Sequence, residues 1–376
     1  MIFIHAFRHK LYSDGRKWAY DVLKKKLIAA EAESEKDILV QDHFQHAVFC
    51  LLAYMCFGDK LKETIIREIE AVQRPILTNF IRFNVLNFMP RLGKIVFRKR
   101  WKELLEIRRN QEDVLLPLIR ARQEKIKHKG LGENQGIVCY VDTLFDLQLP
   151  KENSERKFSE GEIVSLCSEY INGGTDTSTT TLQWVMANLV KHQDIQEKLV
   201  REINRVVKRG EDIIKEEDLI KMPYLKAIVL ETLRRHPPGH FILPRAVTED
   251  TVLDGYDIPT NAMVNFTVAD MAWDPNVWED PMEFRPERFY GDNGEVEFDL
   301  KGVKEIKMMP FGAGRRVCPA ISLAILHQQY FVANLVRDFK WEVEDGEDVD
   351  LSEKQDFTMI MKNPLRTRIS PRIKDS

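Results

Sequence analysis

Apolar residues recur at spacings of three and four through most of the first two thirds of the chain, with charged residues between them. This spacing places the apolar side chains on one face of a helix. The clearest runs predict helices over Gln41 to Cys56, Trp101 to Lys127, Glu160 to Lys191 and Tyr224 to His236. Clusters of glycine, asparagine and charge predict loops at 129–136 and 150–157.

The pattern changes after the prolines that follow His236. Residues 248–265 alternate as short strands do, and Asp254-Gly255 predicts a hairpin turn because both positions can adopt positive φ. A last helix is predicted from Pro319 to about Arg337, followed by strand-like residues near the end of the chain. The sequence therefore predicts a mainly α fold with a minor β part, in one domain spanning residues 1–376.

Composition narrows the possible classes of protein. A net charge of −3, from 56 basic and 59 acidic residues, argues against a nucleic-acid-binding protein. The five cysteines are scattered and never form a C-x-x-C pair, which excludes a disulfide framework and a zinc ribbon. The longest apolar stretch, residues 47–57, is too short to span a bilayer, and the first residues do not form a signal peptide.

One cysteine, Cys318, lies in a segment with unusual chemistry, FGAGRRVCPA. Gly312 and Gly314 allow positive φ and close approach to a flat ligand. Pro319 suits the first position of a helix, so Cys318 is expected beside unpaired backbone N–H groups that favour its thiolate. Arg316 adds a cation suited to a carboxylate. Together these features describe an axial thiolate ligand to haem iron.

The alternative is that Cys318 is a buried structural cysteine, as most cysteines are. We accept that interpretation for the other four, Cys50, Cys56, Cys139 and Cys167, which have no ligand-like neighbours in the sequence.

The same segment resembles the haem-binding loop of the cytochrome P450 superfamily, F-x-x-G-x-R-x-C-x-G. Phe311, Gly314, Arg316 and Cys318 match in register, whereas Ala320 stands where glycine is usual. The resemblance implies haem b (iron protoporphyrin IX) as cofactor, with Cys318 as the axial ligand. It also implies that Arg316 and Arg245 bind the haem propionates.

Two further motifs follow the order of the superfamily. Glu231 and Arg234 share one face of the predicted helix at i, i+3 spacing, and Arg288 lies in a downstream P-x-R-F segment. The resemblance implies that these three residues form a buried structural network behind the haem. Breaking such a network should cost several kcal/mol, because it leaves a charge buried without a partner.

The middle of the predicted helix over residues 160–191 contains residues with low helix propensity. Gly173 and Gly174 there cost roughly 2 kcal/mol relative to alanine, which is typical of a kink or of a close approach to the backbone. The segment Gly173 to Ser178 resembles the oxygen-binding motif of these enzymes, which implies that Asp176 supplies protons and that Thr177 orients water and dioxygen. Adjacent helical side chains point about 100° apart, so a water or a moving Asp176 must link them.

The resemblance as a whole implies an oxidoreductase: a haem-thiolate monooxygenase that inserts one atom of O2 into a lipophilic organic substrate. NADPH–cytochrome P450 reductase would supply the electrons, and residues 169–177, 238–243 and 356–361 would line the pocket. Two alternatives remain open. One is a haem-thiolate isomerase or dehydratase, although the Asp176-Thr177 pair argues against it. The other is an inactive remnant. His240 is expected to be a packed or surface histidine.

Longer segments of the sequence, such as HPPGHFILPRAVTEDTVLDGY, resemble plant cytochrome P450 family 89, subfamily A. Members of that family associate with the endoplasmic reticulum membrane, facing the cytosol. Relative to them, we expect this chain to be truncated at its N-terminus. It would lack the membrane anchor, the first β-rich segment and the first helices, including a W-x-x-x-R motif that Trp18 does not reproduce.

Overall fold

The computed structural model describes residues 11–33, 37–88, 90–129, 137–151, 154–207, 213–291, 294, 296, 298–344 and 347–372. The predicted loop at 129–136 lies outside these residues apart from its first position. The chain forms two compact units, residues 1–179 and 180–376, and helix α8 contributes to both. The prediction of one domain stays a prediction.

The first unit is mainly helical. Its helices are α1 (Ser13–Glu33), α2 (Gln41–Phe57), α3 (Glu63–Thr78), α4 (Phe80–Phe88), α5 (Pro90–Val96), α6 (Arg98–Lys129), α7 (Asp142–Phe145) and the first part of α8 (Glu160–Lys191). Its strands are β1 (Ile38–Leu39), β2 (Gln148–Lys151) and β3 (Ser154–Lys157).

Helix α2 forms the centre of this unit. Every residue from His46 to Phe57 is buried, which explains why the sequence there is apolar all round rather than on one face. Helix α1 packs on α2, and α3 packs on α6.

The prediction of a loop at 150–157 is wrong. Strands β2 and β3 form an antiparallel hairpin in which Gln148 pairs with Lys157. Arg156 and Lys157 are exposed, so this ribbon lacks the apolar alternation by which a half-buried strand is recognised.

The second unit combines the rest of α8 with further helices and short hairpins. The helices are α9 (Gln193–Val206), α10 (Glu216–Leu219), α11 (Pro223–Arg235), α12 (Val268–Ala272) and α13 (Ile321–Asp338), with 3₁₀ turns at Pro286–Phe289 and Gly314–Arg316. The strands are β4 (Arg245–Ala246), β5 (Thr251–Leu253), β6 (Tyr256–Ile258), β7 (Met263–Val264), β8 (Phe339–Glu342), β9 (Glu353–Gln355), β10 (Met359–Met361) and β11 (Arg366–Pro371).

Helix α11 is the central element of the second unit. It packs on α9, α12, α13 and the 3₁₀ turn at Pro286–Phe289. Its buried Ala227 and Leu230 belong to an apolar cluster that also contains Trp278 and Phe289. This packing fixes the helix that carries Glu231 and Arg234.

The small sheets of this unit are antiparallel pairs. In the β5–β6 hairpin, Leu253 pairs with Tyr256, and the turn residues Asp254 and Gly255 have φ of 49° and 80°. The predicted Asp254-Gly255 turn is therefore confirmed. The predominance of helix with small sheets likewise confirms a mainly α fold with a minor β part.

Candidate functional site

The segment from Phe311 to Cys318 forms a closed loop. Its glycines, Gly312 and Gly314, have φ of 69° and 67°, a region that side chains disfavour. The backbone N–H of Cys318 donates to the carbonyl of Phe311 at 2.9 Å. A Cβ on Gly314 would meet no atom within 4 Å, and one on Gly312 would meet only the Arg316 carbonyl oxygen at 4.0 Å. The loop therefore leaves open space beside both glycines.

Helix α13 begins at Ile321, so the prediction that Pro319 occupies the first helical position is wrong. Ala320 is the N-cap residue with φ of −102°, and residues 317–320 separate the 3₁₀ turn at Gly314–Arg316 from the helix. The backbone N–H of Ala320 still donates to Cys318 Sγ at 3.4 Å.

The expected stabilisation of the Cys318 thiolate is outweighed in the protein alone. Burial raises the pKa of the Cys318 thiol, and the hydrogen bond from Ala320 only partly offsets this increase. A bound cation deprotonates a ligating thiol directly, so the thiolate form of Cys318 requires a metal.

The two arginines predicted for the propionates lie on separate elements. Arg316 is exposed at the end of its 3₁₀ turn, and Arg245 is partly exposed on β4. Among the residues that the structure describes, neither guanidinium has a hydrogen-bond or ion-pair partner. Both remain available to a carboxylate ligand.

These observations fit a haem group. The structure supplies a half-buried thiol, open space beside Gly312 and Gly314, and two guanidinium groups without partners in the described chain. Thiolate sulfur is an established axial ligand of haem iron, and guanidinium pairs well with carboxylate. Cys318, Arg316 and Arg245 are the residues that could hold the cofactor.

The structure brings Glu231, Arg234 and Arg288 together. Arg234 binds the carboxylate of Glu231 through two bonds, Nε to Oε2 at 2.7 Å and Nη2 to Oε1 at 2.9 Å. Arg288 Nε donates to Glu231 Oε1 at 3.1 Å, and the side chains of Glu231 and Arg234 are fully buried. The backbone N–H of Arg285 adds a fourth bond at 2.8 Å.

The remaining donors of this cluster bind backbone carbonyls. Arg234 Nη1 donates to Ala272 at 2.8 Å, and Arg288 Nη1 donates to Glu279 at 2.7 Å. The cluster therefore joins α11 to the irregular segment 272–288 through hydrogen bonds to charged groups, which are stronger than neutral ones.

Helix α8 runs from Glu160 to Lys191, the bounds predicted from the sequence. The Ser159 N–H donates to Glu162 Oε2 at 2.8 Å, and the Glu162 N–H donates to Ser159 Oγ at 3.4 Å, so a capping box starts the helix. A Cβ on Gly174 would lie 2.9 Å from Leu52 Cδ1, whereas one on Gly173 would meet nothing within 4 Å. Gly174 thus permits close packing on α2, and Gly173 leaves the backbone accessible.

Asp176 and Thr177 bind different groups. Thr177 Oγ1 donates to the carbonyl of Gly173 at 2.9 Å. Asp176 Oδ1 accepts a hydrogen bond from Gln45 Nε2 at 3.3 Å, and Arg74 Nη1 donates to Gln45 Oε1 at 2.5 Å. Because arginine has donors only, it fixes the Gln45 amide so that its NH₂ faces the carboxylate. The sequence contains no motif that reveals Gln45 or Arg74.

Two of the predicted pocket segments meet in the second unit. The Met359 N–H donates to the Pro238 carbonyl at 2.8 Å, which joins residues 356–361 to residues 238–243. His240 packs edge-to-face on Trp273 and lies 2.9 Å from Glu353, in agreement with the expected packed histidine. The sequence did not reveal the role of Glu353.

The loop presents Cys318 just ahead of helix α13, and a cysteine thiolate is one of the known axial ligands of haem iron. The sequence matches the cytochrome P450 family model over residues 3–370, and the chain belongs to that family of haem-thiolate monooxygenases. The predicted family and oxidoreductase class are confirmed.

Proteins with similar sequences support this assignment. The chain is 48% identical to cytochrome P450 89A9 of Arabidopsis thaliana, over 98% of this chain and 72% of that protein. It is 32% identical to flavonoid 3'-monooxygenase CYP75B137 of Crocosmia x crocosmiiflora, over 77% of this chain. It is 35% identical to 3,9-dihydroxypterocarpan 6A-monooxygenase of Glycine max, over 78% of this chain. The chain spans 56% and 57% of those last two relatives.

A solved structure shows the same fold. A zebrafish cytochrome P450 determined with progesterone superimposes with a TM-score of 0.76 at 22% identity, over 96% of this chain and 77% of that one. At this identity the match concerns the fold alone. Within the part of the chain that the structure describes, no helix is both long and apolar enough to cross a membrane.

Proposed function

We propose that this protein is a haem-thiolate monooxygenase that inserts one atom of O2 into a lipophilic organic substrate and releases the other as water. Electrons would come from NADPH through NADPH–cytochrome P450 reductase at the cytosolic face of the endoplasmic reticulum, as in the family. The observation that carries the proposal is the closed loop that presents Cys318, in a chain that belongs to the cytochrome P450 family.

The haem would be held by residues of the second unit. Cys318 provides the axial sulfur, Arg316 and Arg245 bind the propionates, and Phe311 and Gly314 shape the loop beside the ring. When bound, a thiolate-ligated haem supplies the chemistry of dioxygen activation, because the sulfur donates electron density that favours O–O cleavage. Glu231, Arg234 and Arg288 brace the protein behind this loop.

Asp176 and Thr177 would deliver protons. The Thr177 hydroxyl donates its own hydrogen to Gly173, so towards a water or a proton it would act as an acceptor. The amide of Gln45 holds the Asp176 carboxylate without neutralising its charge. A water that links the two side chains completes this arrangement, since they point in different directions.

A lipophilic substrate is supported by the character of the two segments in the second unit. Phe241 and Leu243 are 56% and 71% exposed, and Phe357 at the tip of the β9–β10 hairpin is 42% exposed. Large apolar side chains with this exposure favour contact with an apolar ligand.

The proton-delivery role can be tested with two threonines of helix α8. Thr177→Val should retain haem but release about tenfold more peroxide per NADPH consumed, because the hydroxyl is lost. Thr179→Val is the matched control, since the buried Thr179 hydroxyl has no hydrogen-bond partner in the described chain. The assay uses the reductase, NADPH and a lipophilic probe that the parent oxidises, such as 7-ethoxycoumarin.

Three outcomes would contradict the proposal. Unchanged peroxide release by Thr177→Val would remove the proton-delivery role. Rearrangement of a lipophilic peroxide, with no NADPH-dependent oxidation of the probe, would favour the isomerase or dehydratase alternative. Absence of haem absorbance in the purified protein would favour the inactive remnant.

A further inference from the structure

Glu353, the first residue of β9, is surrounded by three basic side chains. His236 Nδ1 lies 2.8 Å from Oε1, His240 Nε2 lies 2.9 Å from Oε2, and Arg235 Nη1 lies 3.9 Å from Oε1. The side chain of Glu353 is 15% exposed. A single carboxylate therefore contacts the end of helix α11 and the segment that follows it.

The orientation of this carboxylate is fixed by a rigid ring. His236 is 1% exposed and stacks on Trp184, with ring centroids 4.0 Å apart and an interplanar angle of 2°. A carboxylate can only accept, so the His236 proton lies on Nδ1 and points at Glu353. Because the stacked ring cannot turn without losing Trp184, Glu353 is held at one position.

The β9–β10 hairpin is attached at both of its strands. On β10, the Met359 carbonyl accepts from Trp184 Nε1 at 2.9 Å, and the Met359 N–H binds Pro238. Thr358 at the tip contacts Thr180 through their hydroxyls at 2.8 Å. On β9, the Glu353 carboxylate provides the side-chain contacts to residues 235–240 that the structure describes.

We propose that Glu353 is a positioning residue of the substrate pocket, because it fixes the β9–β10 hairpin relative to residues 238–243. This inference rests on the proposed function, in which the hairpin tip and residues 238–243 line the pocket. One carboxylate then sets the separation of these two segments. It thereby determines which larger ligands are accepted, without touching them.

The negative charge is essential to this role. A glutamine at position 353 keeps one oxygen for the His236 N–H, but it turns its NH₂ towards His240 Nε2 and removes the charge that attracts Arg235. The amide can then contact His240 only if that ring carries its proton on Nδ1. The hairpin would remain attached through Met359 and Thr358, and its β9 strand would be released.

The test compares Glu353→Gln with Lys354→Gln. Lys354 is exposed on the same strand, so its substitution removes a charge without touching the cluster. Hydrogen exchange should accelerate about tenfold across residues 353–361 in Glu353→Gln and remain at the parent rate in Lys354→Gln. If Glu353→Gln cannot be purified, His240→Gln removes the more exposed partner and should produce the same change to a smaller extent.

The second readout is ligand size selectivity, measured from Soret shifts with imidazole and 4-phenylimidazole. Imidazole is the smaller ligand and serves as the reference, so its affinity should change less than twofold. The affinity for 4-phenylimidazole should change at least fivefold. Unchanged exchange, or equal changes for both ligands, would overturn the inference.

The same experiment separates this inference from the proposed function. A parent protein without haem absorbance would overturn the proposed function, and the exchange rates would then decide alone whether Glu353 holds the hairpin. A parent with normal haem and a Glu353→Gln variant with parental exchange would overturn only the inference.

Discussion

Two glutamates of the second unit, Glu231 and Glu353, each lie among basic side chains, but the chemistry of their partners differs. Glu231 is bound by Arg234 and Arg288, which are charged at every physiological pH. Glu353 is hydrogen-bonded to His236, whereas His240 Nε2 lies 2.9 Å away without hydrogen-bond geometry and Arg235 Nη1 lies 3.9 Å away. The carboxylate of Glu231 thus has permanently charged partners, whereas the hydrogen-bond partner of Glu353 is a titratable histidine.

The difference suits the two positions. The Glu231 cluster joins helix α11 to the segment that precedes the cysteine loop, where a fixed geometry is needed. The Glu353 cluster attaches the β9–β10 hairpin, which we place at the substrate pocket, to residues 235–240. Burial lowers the pKa of His236 to about 4. Burial raises the pKa of the Glu353 carboxyl, but the bond to His236 together with the charges of His236, His240 and Arg235 outweighs burial and lowers it overall. A neutral imidazole therefore donates to a carboxylate.

The largest expected effect follows from removing the charge of Glu231. Glu231→Gln leaves Arg234 buried without its counterion and should lower the free energy of unfolding by about 3–5 kcal/mol. Urea denaturation at pH 7 measures this loss. The control is Glu279→Gln, whose carboxylate pairs with Arg285 at the exposed surface and should have little effect. Equal losses in both variants would contradict the distinction between the buried and exposed pairs.

The next effect concerns pH. The unfolded His236 titrates near 6.5 and the folded one near 4, so the unfolded chain binds more protons between these values. Stability is therefore lost as pH falls from 6.5 towards 4, by about 3 kcal/mol at the low end. Urea denaturation across this range should show a flatter pH profile in His236→Gln than in the parent.

The control for this pH profile is His128→Gln, which removes a histidine that is 81% exposed. This variant should reproduce the slope of the parent. A parental slope in His236→Gln would show that the buried imidazole already carries its proton in the folded state.

The smallest effect concerns the ring beneath His236. Trp184→Phe retains an aromatic ring for stacking and removes the N–H that donates to Met359. We expect a loss of about 1 kcal/mol from the hydrogen bond, plus a cost for the cavity that the smaller ring leaves at this fully buried position. Urea denaturation of the variant measures it. No loss of stability would mean that this bond does not hold β10.

The features predicted correctly from the sequence are those with local causes. The bounds of helix α8 follow from a capping box at Ser159 and from apolar spacing over 32 residues. The Asp254-Gly255 turn follows from the conformational freedom of two adjacent residues. The loop glycines before Cys318 follow from the same property.

The features missed from the sequence depend on distant partners. Glu353 meets His236 across 117 positions, and Gln45 meets Asp176 across 131 positions. No local pattern encodes such contacts. Helix α13 begins two residues later than the sequence predicts, because proline suits a turn as well as it suits the first position of a helix.

The central claim is that Cys318 binds haem iron through its thiolate. The most direct measurement is the absorption spectrum of the purified protein, reduced in the presence of carbon monoxide. We predict a strongly red-shifted Soret band in the parent and in Cys50→Ala, a control at a buried cysteine, and its loss in Cys318→Ala. An unshifted Soret band in the parent, or a red-shifted band that survives in Cys318→Ala, would contradict the claim.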